Sequence, residues 1–169
     1  GRRSPGRSRK VFLQASGPMK MTNYTKQERT LILFMRIIGV AFLIAAAVFA
    51  SSPDYILDYI TDIGSVFFGW KSPRGALGAE KFWLVPAVAL QISMAYSAFM
   101  AQRDPALHIE HSRYIIMSKF ICTAGFTALL FAESMQFFYL LGAVVEGLIF
   151  IITLLIYRSA MRSRNRWHD

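Results

Sequence analysis

The chain contains a single cysteine, Cys122, among 169 residues, and this cysteine lies within an apolar run. One thiol excludes an intrachain disulfide, a zinc site built from several thiolates and a CxxC redox pair. Charge is also scarce, because all charged residues together make up only 17% of the chain. Since a soluble domain carries about 25% charged residues, the composition argues against an ordinary globular fold.

Hydrophobic residues make up 54% of the chain, and the mean hydropathy is +0.38. They fall into four blocks of about 20 residues, the length at which a helix crosses a hydrocarbon core about 30 Å thick. The blocks are 31–50, 82–101, 114–132 and 137–157. We therefore predict an all-α integral membrane four-helix bundle, in which the short link between the last two blocks forces them into a hairpin.

Basic residues predict the orientation of this bundle. The segment before the first block, the loop between the second and third blocks, and the C-terminal segment hold eight, two and four lysines and arginines; the loop between the first and second blocks holds three. Because basic loops stay in the cytoplasm, we expect both termini inside, in a bacterial inner membrane or, alternatively, an organellar membrane. The clustering of these basic residues beside the apolar blocks also argues against a nucleic-acid partner.

The two ends lie outside the predicted transmembrane domain, which covers 31–157. Residues 1–30 are rich in arginine and serine, and we expect them to form no structure of their own. Three interpretations stay open: sequence upstream of a start at Met19 or Met21, an organellar transit peptide, or an arm that binds anionic lipid or a partner. Residues 158–169 form a basic tail, predicted to be cytoplasmic.

The loop between the first two blocks contains a predicted amphipathic helix, 54–70. Apolar residues recur there at three- and four-residue steps, with aspartates on the other face, between a Ser-Pro start and a stop at Gly69. We expect this helix to lie in the outer membrane interface, with a lid or a partner-docking surface as alternatives. The predicted interface residues are Tyr55, Tyr59, Phe67, Phe68 and Trp70.

Polar side chains at membrane depth form the candidate site. Glu146 lies in the middle of the fourth block and Gln91 at a matching depth in the second, so both should face the bundle interior. We expect Glu146 to form a hydrogen bond with Gln91 or a threonine and thereby to stabilise the packing of the helices. The alternatives are a proton-carrying or ligand-binding group with Lys119 or Arg36 as its partner, and a contact with another subunit. The candidate residues are Glu146, Gln91, Thr123, Thr127 and Lys119.

Two stripes of small residues predict close helix packing. They are Ala89, Ser93, Ser97 and Ala101 in the second block, and Ala143 and Gly147 in the fourth. Such spacing lets helix backbones approach, so we predict that the second and fourth helices pack together around the polar layer. His108 and His111 are too few for a metal site without a third ligand, and we expect neither a metal nor a cofactor.

Several short strings resemble those of small bacterial inner-membrane proteins of DoxX-like architecture. They are Lys81-Phe82-Trp83, Arg103-Asp104-Pro105, Ser118-Lys119 and the run GAVVEGLIFIITLLIYR at 142–158. The resemblance spans about residues 28 to 160 and implies a four-helix membrane fold with an association with quinone-linked redox complexes. It transfers no catalytic residue.

The sequence contains no nucleophile with its base and no glycine-rich phosphate loop. We therefore expect a non-catalytic accessory or structural subunit of a larger membrane complex, whose partners are the lipid bilayer and other membrane subunits. The alternatives are a small proton-linked transporter that uses Glu146 and Gln91, and a component of a quinone-associated redox complex.

Overall fold

A computed structural model describes residues 24–70, 84–105, 107–132 and 137–165, and these ranges contain helices and no strand. The five helices are α1 (Lys26–Ser51), α2 (Pro53–Phe68), α3 (Leu84–Arg103), α4 (Ile109–Ala132) and α5 (Phe137–Asn165). Four of them, all except α2, are long and apolar enough to cross a membrane. The prediction of an all-helical fold with four helices able to span a membrane is therefore confirmed for the described residues.

The helices extend beyond the apolar blocks. α1 begins at Lys26 because Thr25 and Glu28 cap it reciprocally: the Glu28 N–H donates to Thr25 Oγ1 at 3.2 Å, and the Thr25 N–H donates to Glu28 Oε2 at 2.8 Å. α5 likewise continues to Asn165. An apolar run identifies only the part of a helix that contacts hydrocarbon. The backbone hydrogen bonds of the helix continue beyond that run into the polar residues on either side. The predicted link 133–136, residues 82 and 83, and the ends 1–23 and 166–169 lie outside the described residues.

The core lies mainly between α1 and α3. Buried side chains of α1 pack against a row of small residues and one methionine on α3, with Ile115 of α4 and Ala160 of α5 closing the cluster. Gly39 allows the close approach, since a Cβ there would lie 3.0 Å from the Phe99 ring. The cluster comprises Leu31, Met35, Ile38, Phe42, Met94, Ala95, Ala98, Ala101, Ile115 and Ala160.

The opposite face of α1 is also apolar. Its exposed residues are Leu33, Ile37, Val40, Ile44 and Val48. A helix on the surface of a water-soluble protein has a polar outer face, whereas a helix that is apolar all round needs an apolar environment on both sides. This exposed stripe, which we call the outer stripe of α1, is suited to contact with lipid chains.

The predicted pairing of the second and fourth spanning helices is wrong. α3 packs mainly on α1, and α5 packs mainly on α4, where Gly147 faces Thr123 and Gly142 faces the Phe126 ring. Small residues permit close approach but do not specify the partner, and the short link joins α4 to α5. Of the predicted stripe residues on α3, Ser97 is buried whereas Ala89 and Ser93 are exposed.

The two ends of the bundle differ in charge. At one end, the start of α1 meets the end of α3 through a Tyr24 hydroxyl that donates to Arg103 O at 3.4 Å, and it meets α5 through Thr25 Oγ1 and Ser163 Oγ, 3.1 Å apart. Burial raises the pKa of Tyr24, and the nearby carboxylates of Asp104 and Glu28 raise it further. We call this the basic end, because it carries Lys26, Arg29, Arg36, Arg103, Arg113, Arg158, Arg162 and Arg164.

The opposite end carries α2. Its described charged residues are Asp54, Asp58 and Asp62, all on that helix. We call this the acidic end. The contrast between the ends follows from the antiparallel path of the four spanning helices, which brings alternate connections to the same side.

Candidate functional site

A buried ion pair joins α4 to α5. Lys119 Nζ donates a hydrogen bond to Glu146 Oε1 at 3.1 Å and lies 2.8 Å from Glu146 Oε2. The Lys119 and Glu146 side chains are only 4% and 15% exposed. By contrast, the Arg113–Glu110 pair at the basic end is exposed on both sides. Since exposed pairs contribute little, the buried pair is the one with energetic consequences.

Phe42 of α1 completes this cluster. Lys119 Nζ lies 4.5 Å from the centroid of the Phe42 ring, within the range of a cation–π interaction. The ammonium group therefore contacts an aromatic ring on one helix and a carboxylate on another. We call this group the Phe42–Lys119–Glu146 cluster, and it ties α1 to the α4–α5 pair.

The cluster lies deep within the spanning helices. Lys119 is ten residues after Ile109, the first residue of α4, and Glu146 is nine residues after Phe137, the first residue of α5. These separations correspond to about 15 and 13 Å along the helix axes. Charged groups at such depth are expensive to place in hydrocarbon, so they face the protein interior and pair with each other.

One oxygen of the Glu146 carboxylate, Oε2, has fewer contacts than an ionised carboxylate oxygen usually makes. Glu146 Oε2 is buried and contacts the Lys119 ammonium at 2.8 Å, and the described part of the chain supplies it with no second hydrogen-bond donor. An ionised carboxylate normally accepts several hydrogen bonds. Among the described residues, this oxygen therefore depends on the Lys119 ammonium for its stabilisation.

The other predicted site residues do not join Glu146. The Thr123 hydroxyl donates to Lys119 O at 2.7 Å, and the Thr127 hydroxyl donates to Thr123 O at 2.8 Å, so both bond within their own helix. Gln91 Oε1 is buried and has no hydrogen-bond partner among the described residues. The expected hydrogen bond from Gln91 or a threonine to Glu146 is therefore absent from this part of the chain, and Lys119, the alternative partner, takes its place.

Arg36, the other proposed partner of Glu146, lies elsewhere. Its Nε donates to Gln102 Oε1 at 3.1 Å, near the basic end. Sequence reasoning also missed Phe42 and two buried hydroxyl residues. Thr153 donates to Ile149 O at 2.6 Å, whereas Ser112 Oγ has no partner among the described residues. An aromatic residue in an apolar helix gives no signal that a cation will stack on it.

The α2 helix forms a second candidate surface. Pro53 occupies its first position, and Gly69 ends it in the left-handed conformation with φ of 63°. Its C-terminal end packs on Phe137, whose ring lies 5.2 Å from Phe68 and 6.1 Å from Trp70, centroid to centroid. Gly64 lies against the same ring, and a Cβ there would be 2.6 Å from Phe137 Cγ.

Four other apolar residues of α2 are exposed. Tyr55 and Phe67 are 71% and 75% exposed, and Tyr59 and Val66 are exposed beside them. The Tyr55 and Tyr59 rings stack with centroids 6.3 Å apart. Of the five predicted interface residues, Phe68 and Trp70 contact Phe137, although Phe68 is still 67% exposed. Tyr55, Tyr59 and Phe67 form an exposed face.

The histidines at the basic end form a small aromatic cluster. The His108 and His111 ring centroids are 5.8 Å apart, and His111 lies edge-on to Tyr96 at 5.9 Å. Among the described residues, no group of three histidine, cysteine, aspartate or glutamate residues is arranged to hold a metal ion.

Comparisons of the chain with family models, curated proteins and solved structures give no match.

Proposed function

We propose that this protein is a non-catalytic accessory subunit of a larger membrane protein complex, with both termini in the cytoplasm of a bacterial cell. The observation that carries this proposal is the outward face of α2, made of Tyr55, Tyr59, Val66 and Phe67. This face lies at the acidic end of four helices that are themselves apolar enough to span a bilayer.

Orientation follows from charge. The described cations outside the cluster lie at the basic end, and the described charges of the acidic end are aspartates. Because lysine and arginine are retained in the cytoplasm, the basic end faces inward and α2 faces outward. An amphipathic helix with tyrosines beside aspartates is typical of the membrane interface, where aromatic rings contact headgroups and carboxylates contact water.

Rigid attachment favours a protein partner in addition to lipid. The contact of Gly64 with Phe137 fixes one end of α2 on the bundle, so the outward residues have a defined position. A helix that only lies in the membrane interface needs no such attachment. Binding of another subunit is favoured by a preorganised aromatic face, because less conformational entropy is lost on association. The partner that fits is a second membrane protein with an apolar patch and a basic rim that meets Asp58.

A photo-crosslinking experiment in the native membrane tests this proposal. A photoreactive residue at Tyr59 should give an adduct with one discrete membrane polypeptide, whereas the matched control at Ile37, on the outer stripe of α1, should give lipid adducts. The proposal is contradicted if both positions give the same lipid adducts, or if Tyr59 links only to a second copy of this chain.

One observation favours a second function, proton-linked transport. Glu146 and Lys119 form a buried ion pair deep within the spanning helices, and intramembrane carboxylates carry protons in pumps and transporters. Gln91 Oε1 is a buried acceptor without a partner among the described residues. The two functions make different predictions for variants of the ion pair, which are developed in the Discussion.

A further inference from the structure

Arg36 interrupts the outer stripe of α1. It lies three residues after Leu33 and four before Val40, both exposed, and the Arg36 side chain is itself exposed. Residues at three- and four-residue spacing share one face of a helix. Arg36 therefore sits on the face that we assign to lipid, although it carries a permanent charge.

No carboxylate in the described part of the chain neutralises this charge. Arg36 forms no ion pair with the described acids, and within the described ranges its side chain donates a hydrogen bond from Nε to Gln102 Oε1 at 3.1 Å. That bond fixes the plane of the guanidinium while leaving the N–H donors of its terminal nitrogens for another acceptor. An acceptor with negative charge and several oxygens is the natural complement.

Gln102 also shows where along the membrane this guanidinium lies. It is the residue before Arg103, the last residue of α3, so the Arg36 head group is level with the point at which α3 ends. A helix that spans the bilayer ends near the lipid headgroups. Long arginine side chains reach this level from positions further inside the helix.

Further cations flank the position. Arg29 lies seven residues before Arg36, about two helical turns along the same face of α1, and it is exposed. Arg103 is exposed directly after Gln102. Asp104, the residue after Arg103, accepts the Leu107 N–H through its Oδ1 at 3.1 Å, which closes the turn after α3.

We propose that Arg36, positioned by Gln102 and flanked by Arg29 and Arg103, binds the phosphate of an anionic phospholipid at the α1–α3 edge of the basic end. The lipid chains lie along the outer stripe of α1, and the phosphate accepts hydrogen bonds from the terminal nitrogens of Arg36. Arg29 and Arg103 supply the attraction that favours an anionic lipid over a zwitterionic one. This inference is independent of the accessory-subunit proposal, since it concerns the opposite end of the bundle.

Native mass spectrometry of the purified full chain tests this site, with phosphatidylglycerol and phosphatidylcholine as probes. The wild-type protein should retain phosphatidylglycerol in preference to phosphatidylcholine. Arg36→Gln should weaken phosphatidylglycerol binding by about fivefold or more, whereas Arg164→Gln, which removes the same charge near the end of α5, should weaken it by less than about twofold. Gln102→Leu keeps every charge, so a weakening there reports the positioning of Arg36 even if Arg36→Gln does not fold.

Three results would overturn the proposal. Equal losses in Arg36→Gln and Arg164→Gln would show a diffuse charge effect, and equal retention of both lipids by the wild-type protein would show no anionic site. Displacement of phosphatidylglycerol by millimolar inorganic phosphate would show that the arginine recognises a free anion instead of a lipid.

Discussion

Replacing Lys119 with methionine will lower the free energy of unfolding by about 3 to 5 kcal/mol, the range measured when one partner of a buried ion pair is removed. Glu146 would then hold a charge without the ammonium that lies 2.8 Å from Oε2. Glu146→Leu should have a similar effect, because it leaves the Lys119 ammonium buried between helices without its carboxylate, in contact with the Phe42 ring.

The double variant, Lys119→Met with Glu146→Leu, should recover most of this loss. Removing both charges removes the desolvation cost together with the attraction, so its stability should return to within about 1 kcal/mol of the wild-type value. Equilibrium unfolding in detergent micelles measures all three variants. Thr127→Ala serves as the control on α4, since its hydroxyl bonds only within the helix. Single variants as stable as this control would contradict the pairing.

The same variants separate the two candidate functions. If the protein is an accessory subunit, the double variant keeps its fold and still gives the Tyr59 adduct with its partner. If the protein carries protons through Glu146, the double variant is equally well folded, but proton flux in reconstituted vesicles is lost. Loss of the adduct with retained folding would instead assign the ion pair to assembly.

Gly64→Ala should release α2 from the bundle. The new Cβ would lie 2.6 Å from Phe137 Cγ, and because Phe137 is buried its ring cannot simply rotate into open space. Overpacking of this kind costs about 1 to 3 kcal/mol. This loss of stability affects the contact between α2 and α5. Amide hydrogen exchange in α2 should therefore accelerate by roughly 5- to 150-fold, while the amides of the spanning helices stay protected.

Gly125→Ala is the matched control for this substitution. A Cβ at Gly125 meets no atom within 4 Å, so this variant should be unchanged or stabilised by up to about 1 kcal/mol through the better helix propensity of alanine. If the amides of α2 exchange at the same rate in both variants, the position of α2 does not depend on Phe137. The outward face of α2 is then not preorganised by this contact.

Much of the fold is predictable because the bilayer sets its dimensions. Runs of about 20 apolar residues predicted all four spanning helices, and the Ser-Pro start with Gly69 at the end predicted α2 to within two residues of its observed limits. The extra turns at the start of α1 were missed, because the capping residues Thr25 and Glu28 lie in a polar segment. Hydropathy predicts the segment of a helix that is able to span the membrane, but it does not predict the residues at which the helix begins and ends.

The helix partners were not predictable from the same pattern. In water, the apolar face of a helix identifies the side that packs, but in lipid both faces are apolar. α4 illustrates this, because it exposes Met117 and Ile121 while burying Ile115 and Lys119. Position along a helix is encoded in the sequence, so Glu146 could be placed at membrane depth. Rotation about the helix axis is not encoded there, so the contact of Lys119 with Phe42 was not predicted, and the predicted hydrogen bond between Gln91 and Glu146 is not formed among the described residues.

The central claim is that four helices span a membrane with the basic end inside. Cysteine accessibility tests it directly, since the chain has one native cysteine to remove. In a Cys122→Ala background, Asp58→Cys in α2 and Arg162→Cys in α5 are exposed to a membrane-impermeant maleimide in intact spheroplasts. We expect labelling of Asp58→Cys at once and of Arg162→Cys only after the membrane is permeabilised. Labelling of both before permeabilisation, or of Arg162→Cys alone, would contradict the account.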